Sequence, residues 1–216
     1  MSLLPFVSSG LFLAVLVSVF FWKSQILTIF LILSYFISVF YLEEVDSLGI
    51  SSRIPGSFAI FIFSEAVVFV SILLAVAWYN SFESLNLTFW NELPVIGTAI
   101  LFVSSVSVAA YHHSMGSPVG LFNLKLTFWL GMSFVVLQYS EFRECCVCLV
   151  DSGYSSSSLC AVGLHLLHVF VGVLSLGFLI KYVASAVSAY RPSLVVWYWH
   201  FVDYVWLVVY FLVYVL

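Results

Sequence analysis

The residues able to do chemistry are few, and most of them stand inside long apolar runs. Glu65 lies about eight residues into a run starting near residue 57, about 12 Å along a helix axis at 1.5 Å per residue. A bare carboxylate at membrane depth is costly, so the group must be neutralised, hydrogen-bonded inside the protein or wetted. Two readings stay open: a functional carboxyl group, or a neutral acid satisfying a backbone carbonyl. His200 and Asp203, three residues apart near the C-terminus, share a helix face and are expected to form a local pair, either a structural contact between helices or part of a proton relay. His165 and His168, in Gly163-Leu-His-Leu-Leu-His168, share a face in the same way and could meet a metal, a haem, a lipid headgroup or another helix. One turn apart, they cannot be opposite axial ligands of one haem. A haem would need His168 with His200 or His112.

Other polar residues fit simpler roles. His112 and His113 close an apolar run and read as interfacial anchors, and Glu141 stands near the end of the next run. Cys145 and Cys148 have CxxC spacing with Cys146 between them, but a zinc site needs four ligands, and the histidines at 112 and 113 belong to the opposite membrane side. Cysteine as a small hydrophobe is the plainer reading. The sequence contains no phosphate-binding loop, HExxH pair or serine-nucleophile elbow.

The elements that must position these residues follow from composition. Of 216 residues, 7% are charged and 64% are hydrophobic, with a mean hydropathy of +1.19. An average soluble protein carries roughly a quarter charged residues. One small core could not hide so much apolar surface, so lipid must be the main solvent. Ten acids and six bases give a net charge of −4, with no basic cluster to bind nucleic acid. Continuous apolar stretches predict seven spanning helices, at about 5–22, 26–42, 57–79, 93–113, 122–142, 155–182 and 195–216. These runs are longer than transmembrane strands and apolar on all sides, which disfavours a barrel. The first run lacks a basic n-region and a small-residue cleavage pattern, so it is expected to be a retained helix.

With seven spans, Arg53, Lys125, Lys181 and Arg191 fall on the N-terminal side and Lys23 and Arg143 on the other. That bias places the N-terminus inside. Phe (22) and Tyr (12) are abundant while Lys, Gln and Thr are scarce, as expected of a thymine-biased, organelle-encoded gene. Balanced base usage in the coding DNA would overturn that origin.

Several segments, in order, resemble subunit III of the haem-copper cytochrome c oxidases. The strongest is Trp197-Tyr-Trp-His-Phe-Val-Asp-Tyr-Val-Trp206. It is supported by Phe63-Ser-Glu-Ala66, Tyr111-His-His-Ser114, Gln138-Tyr-Ser-Glu-Phe142, Asp151-Ser-Gly-Tyr-Ser155 and Gly163-Leu-His-Leu-Leu-His-Val169. Together they cover residues 57–216. The resemblance implies an all-α integral membrane protein of seven transmembrane helices. An N-terminal pair (1–42) and a connecting loop (43–56) would precede a five-helix bundle (57–216), with a lipid cleft between pair and bundle. It also implies a multi-pass subunit of the mitochondrial inner membrane with its N-terminus on the matrix side, a partner of subunits 1 and 2. Haem a and copper would reside in those partners, with no redox centre, metal or catalytic residue in this chain, and phospholipids would be bound. The subunit would support assembly, sustained turnover and proton uptake during oxygen reduction and proton pumping. Glu65 matches the family's buried helix-three carboxylate near the lipids, and His165, His168, His200 and Asp203 match polar positions of helices six and seven. The chain is shorter than typical members and has Ser193-Leu-Val-Val196 where the family often carries an acid. From another class, a self-contained haem b or quinone oxidoreductase using His168 and His200 is the alternative.

Overall fold

The computed structural model describes residues 54–80, 93–145, 148, 150–183 and 190–215. The expected spans at 5–22 and 26–42 lie outside the described residues, as does the connecting loop up to residue 53. The chain divides into two compact units, Met1–Pro55 and Gly56–Leu216, and the described helices fall almost wholly in the second.

Five helices account for most of the described residues: α1 (Ile54–Asn80), α2 (Leu93–His113), α3 (Pro118–Glu144), α4 (Gly153–Val183) and α5 (Tyr190–Tyr210). All five are long and apolar enough to cross a membrane. The second matches its expected bounds. The others start earlier: α1, α3 and α5 carry Pro55, Pro118 and Pro192 in their first turns, where the missing N–H would be unpaired anyway, and α4 starts at Gly153 after Ser152. At α3, Gly116 adopts φ +84°, the left-handed conformation that lets the chain reverse in four residues. Ser117 then caps the helix, its Oγ accepting from the Gly120 amide at 3.1 Å, with Pro118 in the first turn. A side chain at Gly120 would collide with the Ser114 carbonyl oxygen. Ser152 caps α4 in the same manner, accepting from the Ser155 amide at 3.1 Å.

The expected last span, 195–216, ends differently. After Tyr210 the backbone widens into a π-helical turn, Phe211–Val215. Helix ends leave carbonyls without partners, and here the Tyr154 hydroxyl donates to the Val213 carbonyl at 2.8 Å. The turn is thereby tied to the start of α4.

Helix α2 packs against α3 and α5, α3 against α4, and α4 against α5. These four make a closed ring. Trp199 and Trp206, both essentially inaccessible, fill its interior with Phe134, Leu101, Leu124 and Leu176. An indole N–H sealed in an apolar interior needs an acceptor. Trp199 donates to Ser104 at 3.0 Å and Trp206 to Thr98 at 3.1 Å, both on α2. These pairs set the antiparallel register of α2 and α5. Helix α1 is the least covered of the five, and its inner side is marked by Phe69, Leu73 and Val76.

Candidate functional site

Glu65 is the twelfth residue of the 27-residue α1, which begins at Ile54, so it stands near the helix midpoint. It is deeper than the sequence estimate, which started the helix at 57. Its Oε2 lies 3.1 Å from Nε2 of His168 on α4. The sequence singled out both residues without pairing them. His168 is fixed on several sides: Phe69 meets its ring edge-on at a centroid distance of 5.1 Å, and Tyr198 stacks at 6.4 Å. The His168 side chain is 8% exposed and Glu65 26%, so the pair opens outward on the carboxyl side.

The tautomer follows from the hydrogen bonds. His168 Nδ1 lies 2.8 Å from the Leu164 carbonyl oxygen. A carbonyl only accepts, so Nδ1 carries a hydrogen. Nε2 and the Glu65 carboxyl group therefore share one proton, as imidazolium with carboxylate or as imidazole with carboxylic acid. Either form gives one strong bond between α1 and the ring. It satisfies a carboxyl group that would otherwise be costly at this depth.

His165 and His168 diverge rather than serving one site. His165 is sealed inside the ring between Phe134 (5.7 Å) and Trp206 (4.8 Å), with Nε2 donating to the Val202 carbonyl at 3.3 Å. It is a core histidine. The expected His200–Asp203 pair is corrected: His200 Nδ1 bonds Ser105 Oγ on α2 at 3.1 Å, and neither Asp203 carboxyl oxygen has a hydrogen-bond partner among the described residues. The Ser105 hydroxyl also approaches Asp203, but only its contact with His200 meets hydrogen-bond geometry. A shared face at three-residue spacing did not decide the pairing, because the groove against α2 offered His200 a hydroxyl. A buried carboxyl group without partners is destabilising. Asp203→Asn, close in shape and uncharged, is therefore expected to leave the melting temperature of the purified protein unchanged or raise it. A loss of more than about 1 kcal/mol, the usual worth of a hydrogen bond, would sink that assignment.

His112 and His113 are exposed at the end of α2. Glu141 is buried, and its carboxyl oxygens accept from the Tyr214 hydroxyl and the Gln138 amide, each at 2.7 Å. Cys145, Cys148 and Cys160 form no disulfide, and among the described residues no three His, Cys, Asp or Glu side chains converge as metal ligands. Sequence reasoning passed over Thr98, Ser104, Ser105 and Tyr214 as partners. The available signal was the demand of each buried Trp for an acceptor, set against the few hydroxyls of α2.

Fold and site define a polytopic helical membrane protein whose buried polar side chains join its helices. The family profile for cytochrome c oxidase subunit III matches residues 47–216. The chain belongs to the cytochrome c oxidase subunit III family. Proteins named "Cytochrome c oxidase subunit 3" from Pelomedusa subrufa and Gallus gallus are similar to it, at 36% and 37% identity over 130 residues. Each alignment covers 57% of this chain and 50% of the relative, so the chain spans about half the length of the curated relatives it matches.

Proposed function

We propose that the chain is an accessory, non-redox subunit of a cytochrome c oxidase in the mitochondrial inner membrane, with its N-terminus on the matrix side. It would associate with subunits 1 and 2, which carry haem a and copper, and support assembly, sustained turnover and proton uptake while the complex reduces oxygen with electrons from cytochrome c and pumps protons. Residues 1–42 would form a separate helix pair beyond a phospholipid-filled cleft. Family membership supports the complex. The observation that carries the role of this chain is the Glu65–His168 bond, which joins the sparsely covered α1 to the ring through one shared proton near the middle of that helix. Such a bond gives the protein a polar, protonatable group beside lipid without any redox centre.

The alternative, a haem b or quinone oxidoreductase, requires a ring nitrogen of His168 as ligand. Both are engaged, with Leu164 and Glu65, and His200 Nδ1 holds Ser105. Copurification separates the readings. Recovery of the tagged chain with two partners bearing haem a and copper is expected, and recovery of the chain alone with a Soret band would overturn the proposal.

A further inference from the structure

A second polar centre lies at the far end of the bundle from His112 and His113, where α3 finishes and the π turn after α5 folds over it. Gln138 is 1% exposed, and its amide nitrogen donates to Glu141 Oε2 at 2.7 Å. The carboxylate fixes the orientation of this amide, since turning it over would set two oxygens against each other. Its carbonyl oxygen, Oε1, is left buried and without a partner among the described residues. Beside it is a recess lined by Gln138, Glu141, Cys145 and Tyr214, with apolar walls from Phe142 and Val162. The room open to the centre of a water-sized sphere is about 10 Å³, at the lower end of the about 10–15 Å³ that holds a single water, which also needs two or more polar partners.

The chemistry of the lining selects the occupant. Gln138 Oε1 only accepts. The Glu141 carboxyl group accepts from Tyr214 and Gln138 among its contacts, and a carboxylate offers about four acceptor positions. The Tyr214 hydroxyl has given its hydrogen to Glu141 and presents lone pairs. An acceptor-rich lining of this size calls for a small molecule with two donors. We infer that the recess is a binding site for one ordered water, which donates one hydrogen to Gln138 Oε1 and the other to the Glu141 carboxyl group. The water satisfies a buried amide oxygen that the described side chains leave unmatched. This makes Glu141 a hydrated carboxyl site on different helices from the Glu65–His168 bond. Its existence does not depend on whether the chain joins an oxidase.

The test is a cryo-electron-microscopy map of the purified protein, in whatever assembly it forms, at a resolution that shows ordered water. The expected result is a peak about 2.6–3.2 Å from Gln138 Oε1 and within the same distance of a Glu141 oxygen. An empty recess would overturn the inference. So would a peak ringed by several oxygens at about 2.3–2.6 Å, which marks a bound cation. In Gln138→Leu the peak is expected to vanish while the Tyr214–Glu141 contact stays. Persistence of the peak there would show that Gln138 does not hold it and would equally sink the site. If that variant fails to fold, the map of the unaltered chain decides alone.

Discussion

Glu65→Ala is expected to leave the haem and copper content of the copurified assembly unchanged while shortening its active lifetime over many turnovers. The alanine deletes the hydrogen-bond partner of His168 Nε2 and leaves a buried ring nitrogen unmatched, at a cost of about 1–3 kcal/mol. Each 1.4 kcal/mol is a tenfold change in an equilibrium. The fraction of molecules in which α1 has parted from the ring should therefore rise roughly 5- to 140-fold. On the proposed accessory role, rapid initial turnover should stay unchanged. Glu65→Gln separates two ways in which the pair could matter. A glutamine amide can still donate to Nε2 and so keep α1 docked, but it cannot hold the shared proton. If Glu65→Gln restores the lifetime, the bond works by holding helices together; if it behaves like Glu65→Ala, the proton matters. Inactivation of Glu65→Ala at the rate of the unaltered chain would remove Glu65 from either role.

What the sequence revealed, and what it hid, divides along a physical line. Helices α2 to α5 were legible because lipid demands about 20 apolar residues per span, and runs such as 93–113 are bounded on both sides by polar or turn residues. Glu65 and Asp203 were legible as exceptions because charge inside such a run is conspicuous. The partners were not, because no spacing rule links residue 65 to residue 168. Their meeting depends on how α1 lies against α4, and side-chain reach between helices overrides proximity along one. His200 shows the same thing from the other side: three residues from Asp203, it bonds instead to Ser105 on another helix. The π turn was hidden for a related reason, since it is tied down by Tyr154 and Tyr214 through contacts with Val213 and Glu141. The two-helix arrangement of residues 1–42 lies outside the described residues.

The tight interior of the ring yields the other large effect. Gly131→Ala is expected to lower the melting temperature of the purified protein by an amount corresponding to about 1–3 kcal/mol, the usual cost of overpacking a filled core. A Cβ at Gly131 would stand 2.6 Å from Trp199 Cη2 and 2.7 Å from Val173 Cγ2, so it meets α5 and α4 at once. Trp199 is held from swinging clear by its indole nitrogen on Ser104 at 3.0 Å and by Gly172, where a Cβ would lie 3.0 Å from the ring. The two glycines, one on α3 and one on α4, thus leave the slot that the indole occupies. Gly163→Ala is the matched control. It lies on α4 with nothing within 4 Å of its Cβ position, and alanine there should be neutral or gain about 0.5–1 kcal/mol of helix stability. Adding Trp199→Phe to Gly131→Ala removes the clashing Cη2, so the double variant should lose less than the sum of the single losses, a coupling readable in a double-mutant cycle. Equal melting temperatures for Gly131→Ala and Gly163→Ala, or strict additivity with Trp199→Phe, would show that the slot does not constrain the ring.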